Sequence, residues 1–479
     1  MKKLSELILD IHALDIKNFK DVFIESLAHK AADCEPSSIY FCLKGKQNDG
    51  HNFAKQAVKL GAKVLVVEKF LDIDAIQILV KNSRIAMAQI AKNFYDKADE
   101  KLKIVSIVGT NGKTTTSMVI ARILRDCGKS VGVIGTNGVY FDDELSLPCD
   151  LTTPDPIELH YIFSQLVSFG VEYAVIEASA HAIYLNKLYG IKSELGIFTN
   201  ISNEHLDYFE TMENYSKVKM NYFNATNMKF AIINIDDIYG RDLAKNLDIP
   251  YLTYGIFNPA NTFAIDIKTS MGGSDFIVNA SDEIMNIKSS LVGDFNVYNL
   301  LAGITAALYF KCTPRKIESS IKNMQRVDGR FNVFELSRNR KIVIDFAHTP
   351  DGFEKTLSLI KMLRKGKITT LFGCVEYADF EKRKTMGAIA DKYSDELIIT
   401  ADNPNFAKVE DIGKDIAMGI KKCKYKIIED REMAIIKAVI NMQNNDTLVI
   451  LGKGAEKYQK INGKLVEYSD IEVVEKLVN

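Results

Sequence analysis

Cysteine is scarce and shows no pairing pattern. The chain has seven in 479 residues, Cys34, Cys42, Cys127, Cys149, Cys312, Cys374 and Cys423, with no CxxC among them. An odd, scattered set argues against a disulfide framework and a zinc ribbon, and it fits a reducing cytoplasm. An excess of charge of either sign is also missing. Against 61 Lys plus Arg stand 62 Asp plus Glu, a net charge of −1, so nothing draws the whole chain to nucleic acid or to an anionic membrane. No run approaches 18 uncharged apolar residues, and the opening MKKLSELILDIHALDIK has charges inside its apolar stretch and no small-residue cleavage site. The expectation is a cytoplasmic protein that is neither exported nor membrane-spanning. Internal repeats and low-complexity tracts are absent as well, which excludes collagen and disorder.

What is present is a 47% apolar chain long enough for two or three domains, each with its own core. Segments such as AKVLVVEK, KIVSIVG, SVGVIGT, YAVIEAS, LGIFTNI and FAIINID read as short β-branched strands at helix-length intervals, the pattern of parallel α/β sheets. A boundary is expected near Asp96–Lys103, where a strand and a Gly-rich turn begin. Another is expected near Val327–Arg330, where KIVIDFAH, ITTLFGC, DELIITAD and DTLVILGKG start a second series. Three domains follow, 1–98, 99–327 and 328–479, with a β-rich insertion around 262–290.

The strongest local signal is KIVSIVGTNGKTTTSMVIARIL, a strand running through Gly109, Thr110, Asn111, Gly112, Lys113, Thr114 and Thr115 into an amphipathic helix. Glycines let backbone N–H groups converge on phosphate oxygens, Lys113 can neutralise phosphate charge, and the Thr114 hydroxyl can ligate Mg²⁺. The strict phosphate-loop pattern has Gly where this chain has Ile107. Glu177 ends the strand YAVIE, and His205 lies in TNISNEHLDYF just past LGIFTN. Carboxyl ends of strands line the ligand crevice of such sheets, so both are candidate metal ligands near the nucleotide.

GTNGKTT, EASAHAI, TNISNEHLDYF, YSKVK, IINIDD, GDFNVYN, VDGR, DFAHTPD and GKGAE occur in the order expected of the Mur ligases, and the chain resembles their MurE branch. The resemblance covers nearly everything from about residue 100, and more loosely GKQNDGHNFAKQAVKLGAKVLVV before it. It implies three domains, with a phosphate-loop ATPase built on the central parallel sheet and a Rossmann-like C-terminal domain. It also implies that ATP converts a carboxylate to an acyl phosphate, which an amine attacks. Thr114 and Glu177 would then hold one Mg²⁺ and His205 a second, with Lys219 matching the lysine the family carbamylates. A plain ammonium would repel Mg²⁺, whereas a carbamate is an anionic oxygen donor suited to a hard cation. By the same resemblance Asn296 and Asn299 lie on the adenine side, and Arg330 and Asp345 reach the nucleotide from the hinge and third domain. His348 is open between such a role and a structural one. The resemblance places the nucleotide-sugar peptide acceptor on Thr152, Thr153, Ser179 and Lys187, and the incoming amino acid on Asp402, Asn403, Asn405, Gly452 and Glu456. A monomer is expected.

Departures from the family pattern concern substrates rather than ATP. Ala31 and Ala32 stand where a Ser-Arg pair is usual, and Lys187 stands for an Arg, keeping charge but losing the bidentate fork. In FGCVEYADFEKR, Val375, Glu376, Tyr377 and Ala378 replace the first four residues of Gly-Gly-Asp-Arg-Asp, while Asp379, Lys382 and Arg383 are retained. Asn405 stands where diaminopimelate-adding enzymes have Arg, removing a planar grip on a carboxylate. The leading expectation is a ligase adding a third, diamino acid to UDP-N-acetylmuramoyl-L-alanyl-D-glutamate. A paralogue with another carboxylate acceptor is the alternative. A non-catalytic scaffold has no physical need for Lys113, Thr114, Glu177, His205 and Lys219 together.

Overall fold

The computed structural model describes residues 1–45, 48–141, 144–147, 151–378 and 380–478, and three large sheets organise them. The first has five strands, in the order Ala13–Lys17, Ile76–Val80, Ala62–Val67, Ser38–Phe41 and Ser26–Ala28. They are parallel except for the edge strand Ala13–Lys17.

The central sheet has eleven strands, and its parallel middle holds the phosphate-loop strand Lys103–Val108 between Tyr173–Ala178 and Leu195–Phe198. Helices cover both faces, which is why KIVSIV is apolar on both sides rather than alternating: Ile104, Val105, Ile107 and Val108 are fully buried. One core lies beneath helices Lys113–Asp126 and Asp294–Tyr309, and the other faces Pro156–Ser168. Register places Glu177 opposite Ile107, so the carboxylate emerges beside the loop that follows Val108.

The stretch expected as an insertion, 262–290, is instead part of this sheet. Thr262 and Phe263 pair in parallel with Tyr254 and Gly255, and the hairpins Thr262–Ser270, Gly273–Ala280 and Glu283–Ser289 continue the edge antiparallel. Their inward residues Ala264, Phe276, Val278, Met285 and Ile287 join the central core, so burial of one face fixes their place.

The third sheet runs Asn332–Leu336, Arg340–Asp345, Thr447–Leu451, Ile368–Phe372, Glu396–Ile399 and Lys424–Ile427, antiparallel only in its first pair. Helix Pro350–Leu363 starts with Thr349, whose hydroxyl accepts from the Gly352 N–H at 3.1 Å, and with proline in its first turn. That cap aims the start of the helix at the phosphate loop, where Asn111 Nδ2 donates to Asp351 Oδ2 at 2.7 Å. No helix among the described residues is long and apolar enough to cross a membrane.

Candidate active site

The loop after Val108 needs its glycines for space. A Cβ on Gly109 would lie 1.9 Å from Thr199 Oγ1, and one on Gly112, whose φ is +87°, would lie 2.3 Å from Asn299 Oδ1. No side chain caps helix Lys113–Asp126, so its first N–H groups face the loop. Lys113 Nζ donates to the carbonyls of Gly109 (2.9 Å) and Thr110 (2.8 Å), and burial lowers its pKa.

Thr114, Glu177 and Arg330 meet at the start of this helix. The Thr114 hydroxyl donates to Glu177 Oε2 at 3.0 Å and accepts from Arg330 Nη2 at 2.9 Å. Glu177 is 1% exposed and also accepts from Thr136, through its N–H at 3.1 Å and its hydroxyl at 3.0 Å. Arg330 stacks on the Phe346 ring at 4.3 Å, and the Asp345 carboxylate accepts from the N–H groups of Phe331 (2.8 Å) and Ala347 (3.0 Å). Burial raises the Asp345 pKa against these bonds and the Arg330 charge. Asn111, Gly112, Thr115, Asn296, Asn299, Arg330 and Asp345 all line one cavity of about 610 Å³ between the central and third units. Within its wall Asn299 accepts from Thr116 Oγ1 at 3.2 Å and donates to Asn296 Oδ1 at 3.0 Å, which braces the loop against helix Asp294–Tyr309.

Lys219 is 1% exposed on helix Met212–Met220, with its Nζ 3.2 Å from Thr110 Oγ1 and 2.5 Å from the hydroxyl of Tyr215 one turn earlier. Burial and the Lys113 charge push its pKa well below the ordinary lysine value, despite Glu204 and Asp237. His205 has a left-handed backbone, φ +57°, and packs edge-on to His181 at 4.7 Å. Desolvation, opposed by the Glu204 carboxylate and aided by nearby positive charge, lowers its pKa to about 4, so it is neutral near pH 7.

Among the described residues His205 bonds neither Thr114 nor Glu177. Its nearest carboxylate is that of Glu204, 3.7 Å from Nε2. Glu204 was not anticipated from the sequence. Its carboxylate also lies 3.4 Å from His348 Nε2, which links the central and third units. Against desolvation, the His348 hydrogen bond and the Lys113 charge hold Glu204 well below the usual carboxylate range. His348 Nδ1 lies 2.9 Å from the Phe346 carbonyl, so this histidine has both structural and cross-unit contacts.

No cluster of three or more His, Cys, Asp or Glu forms a ready metal site among the described residues. The Thr114 hydroxyl and Glu177 carboxylate are nevertheless hard oxygen donors of the kind Mg²⁺ takes, and Lys219 would offer donors of the same kind once its nitrogen carried a carboxylate.

Thr152, Thr153, Ser179 and Lys187 adjoin this group. Thr152 Oγ1 lies 3.1 Å from Thr136 Oγ1, and Thr153 Oγ1 donates to the Glu177 carbonyl (2.7 Å) and accepts from the Ser179 N–H (3.1 Å). Lys187 Nζ reaches the Thr153 carbonyl at 3.3 Å and Asp155 at 3.1 Å. Asp155 faces His29 of the first unit at 3.9 Å, next to the turn holding Ala31 and Ala32.

Asp402, Asn403, Gly452 and Glu456 meet around Lys453, a fully buried lysine that sequence reasoning passed over. Its Nζ lies 2.8 Å from Glu456, 3.2 Å from Asn403 Oδ1 and 3.9 Å from Asp402. A Cβ on Gly452 would come within 2.3 Å of Asp402. Asn405 turns away from this knot toward Glu376. Asp379 lies outside the described residues.

Comparisons with known proteins decide the family. The Mur ligase family catalytic domain matches residues 24–95, the Mur ligase middle domain 107–307, and the Mur ligase glutamate ligase domain 329–454. The UDP-N-acetylmuramoyl-L-alanyl-D-glutamate–2,6-diaminopimelate ligase 1 of Clostridium acetobutylicum is 37% identical, over 99% of each chain. The chain belongs to the Mur ligase family. A diaminopimelate ligase of the same description from Clostridioides difficile is 36% identical over 98% of each chain. A solved diaminopimelate ligase superposes with a TM-score of 0.70 at 28% identity, covering 100% of this chain and 98% of its own. A MurF ligase from Thermotoga maritima, solved with ADP, shares the fold at a TM-score of 0.62 and 20% identity, over 90% and 95% of the chains.

This Mur ligase is an ATP-dependent ligase, and its three-sheet architecture is that of the family. The hydrogen bonds to Glu177 supply a test of its site. A Cβ on Gly135 would lie 2.0 Å from Glu177 Oε1, so Gly135→Ala should swing the carboxylate away from Thr114. The expected result is a loss of about 100-fold in kcat with a thermal midpoint close to wild type; an unchanged kcat would show that the Glu177 position does not matter.

Proposed function

We propose that the protein joins an amino acid to the D-glutamyl carboxylate of UDP-N-acetylmuramoyl-L-alanyl-D-glutamate, the acceptor named for its diaminopimelate-ligase relatives, in building the peptidoglycan precursor. The observation that carries this reading is the continuous chain of contacts from Thr152 through Thr136 and Glu177 to Thr114 and Arg330, beside a nucleotide-sized cavity. It sets the proposed acceptor residues against the phosphate loop, where a carboxylate can meet the γ-phosphorus of ATP.

In the proposed reaction a carboxylate oxygen attacks that phosphorus and ADP leaves. The amine then attacks the acyl carbon and phosphate departs with the carboxylate oxygen. Lys113 and Arg330 balance charge at the transferring phosphoryl group. Lys219 serves as its carbamate: a lysine held neutral by burial is the nucleophilic form that adds CO₂ with loss of a proton. Mg²⁺, bound by Thr114 and Glu177 with a second ion near His205 and the Lys219 carbamate, would screen phosphate from carboxylate. Asp345 fixes the turn carrying Arg330, so closure of the third unit on the central one positions the guanidinium. The domain division 1–98, 99–327 and 328–479 suits this arrangement, with acceptor, ATP and amino acid assigned in that order.

The test is phosphate release with Mg²⁺-ATP and the muramoyl dipeptide across diaminopimelate, lysine, ornithine and lanthionine, with product masses recorded. Turnover yielding the tripeptide mass with any of these amines is expected. Phosphate release only with a different carboxylate acceptor would replace this reading by the paralogue.

A further inference from the structure

We propose that Lys355, on helix Pro350–Leu363 of the third unit, is a further nucleotide-binding residue, whose ammonium takes a phosphate oxygen of ATP when that unit closes on the phosphate loop. The inference needs only the ATP dependence of the family, so it stands whichever carboxylate the ligase accepts.

Helix Pro350–Leu363 buries Phe353, Leu357 and Ile360 in the core of the third unit. Its other face leaves a stripe of Lys355, Ser358 and Met362, spaced i, i+3 and i+7, to line the cavity of about 610 Å³. Thr356 Oγ1 donates to Asp345 Oδ1 at 3.1 Å, and Asp345 Oδ2 accepts from the Phe331 N–H, so the helix is tied to the turn that carries Arg330. The stripe therefore has a fixed place over the cavity.

A nucleotide brings several negative charges into this space, and its wall has few cations to meet them. Among the described residues lining it, Arg330 and Lys355 are the only arginine and lysine, against Asp236, Asp237, Asp294 and Asp345. Arg330 is committed to Thr114 and to the Phe346 ring. Lys355 Nζ bonds Asp351 Oδ2 at 2.8 Å, an i,i+4 pair whose lysine is 44% exposed, and such pairs are weak enough to exchange for another anion.

The anion within reach is phosphate. The same Asp351 oxygen accepts from Asn111 Nδ2 at 2.7 Å, and Asn111 stands beside Gly112 in the phosphate loop. The Lys355 ammonium is thus two hydrogen bonds from that loop. On its flexible four-carbon stem it can pass from Asp351 to a phosphate oxygen, while Asp351 keeps the Asn111 amide. This exchange ties closure of the third unit to the presence of phosphate in the loop.

The experiment titrates the full chain with a non-hydrolysable Mg²⁺-ATP analogue and, by competition, with adenosine, in wild type, Lys355→Met and Lys355→Arg, at low and high salt, with thermal midpoints read alongside. Lys355→Met should weaken the analogue by about 10-fold and leave adenosine unchanged, and the difference should shrink as salt rises. Lys355→Arg should hold the analogue within about threefold of wild type. A folded Lys355→Met that binds the analogue as wild type does, or that loses adenosine and the analogue equally, overturns the proposal. Wild type that binds no analogue overturns the assignment of the cavity to nucleotide, and this inference with it.

Discussion

Replacing Lys219 with alanine is expected to lower kcat by about 1000-fold, and a short carboxylate such as formate or acetate added in excess is expected to restore part of the loss. The side chain is buried on Met212–Met220 among Thr110, Tyr215 and the Lys113 charge, surroundings that disfavour an ammonium and leave the amine free to add CO₂. As a carbamate it presents anionic oxygens, which a small carboxylate can imitate in the space the alanine leaves. A plain lysine would act through positive charge, and then amines rather than carboxylates would rescue the variant. Isotope-labelled bicarbonate should give a carbamate carbon resonance in the wild type that Lys219→Ala lacks. Turnover unchanged by the substitution would remove Lys219 from the mechanism.

The largest effect on stability should come from Arg431→Ala, a destabilisation of about 3–5 kcal/mol seen as a lower first unfolding transition by calorimetry. Arg431 is fully buried and grips Asp470 through two bonds of 2.8 Å, from Nε and Nη2. Its remaining donors go to the carbonyls of Ala401 and Leu451, each at 3.0 Å. Removing the guanidinium leaves the fully buried Asp470 carboxylate without its cation, although the Tyr468 hydroxyl still donates to it at 2.9 Å, and frees both carbonyls. Those carbonyls immediately precede Asp402 and Gly452, so the KM for the amino acid should rise as well. Arg431→Met combined with Asp470→Leu should recover much of the stability, because the penalty lies in the orphaned charge rather than in the lost pair. A single variant as stable as wild type would contradict this account of the buried pair.

The phosphate loop was legible because its chemistry demands Gly109, Gly112, Lys113 and Thr114 at fixed spacing, and the strands were legible as buried β-branched runs. What the sequence withheld were partners distant along the chain. Glu204 reads as an ordinary acid beside His205 until His348 is folded against it. Thr136 sits in no motif, yet it links Glu177 to Thr152. Lys453 lies inside GKGAE, but only its burial among Asp402, Asn403 and Glu456 shows what it neutralises. Alternating residues at 262–289 announce strands without saying which sheet they extend, since sheet membership depends on pairing with Tyr254 and Gly255. Asn405 is visible in sequence as a lost arginine; its service as a hairpin anchor is a fact of the fold.

The central claim is that ATP activates the acceptor carboxylate itself. The measurement that tests it most directly uses muramoyl dipeptide labelled with heavy oxygen in the D-glutamyl carboxylate, followed by mass analysis of the phosphate released during turnover with Mg²⁺-ATP and the preferred amine. Attack by the carboxylate on the γ-phosphorus predicts one heavy oxygen in each phosphate formed. Phosphate free of label would mean that water, not the carboxylate, takes the phosphoryl group, and would contradict the account.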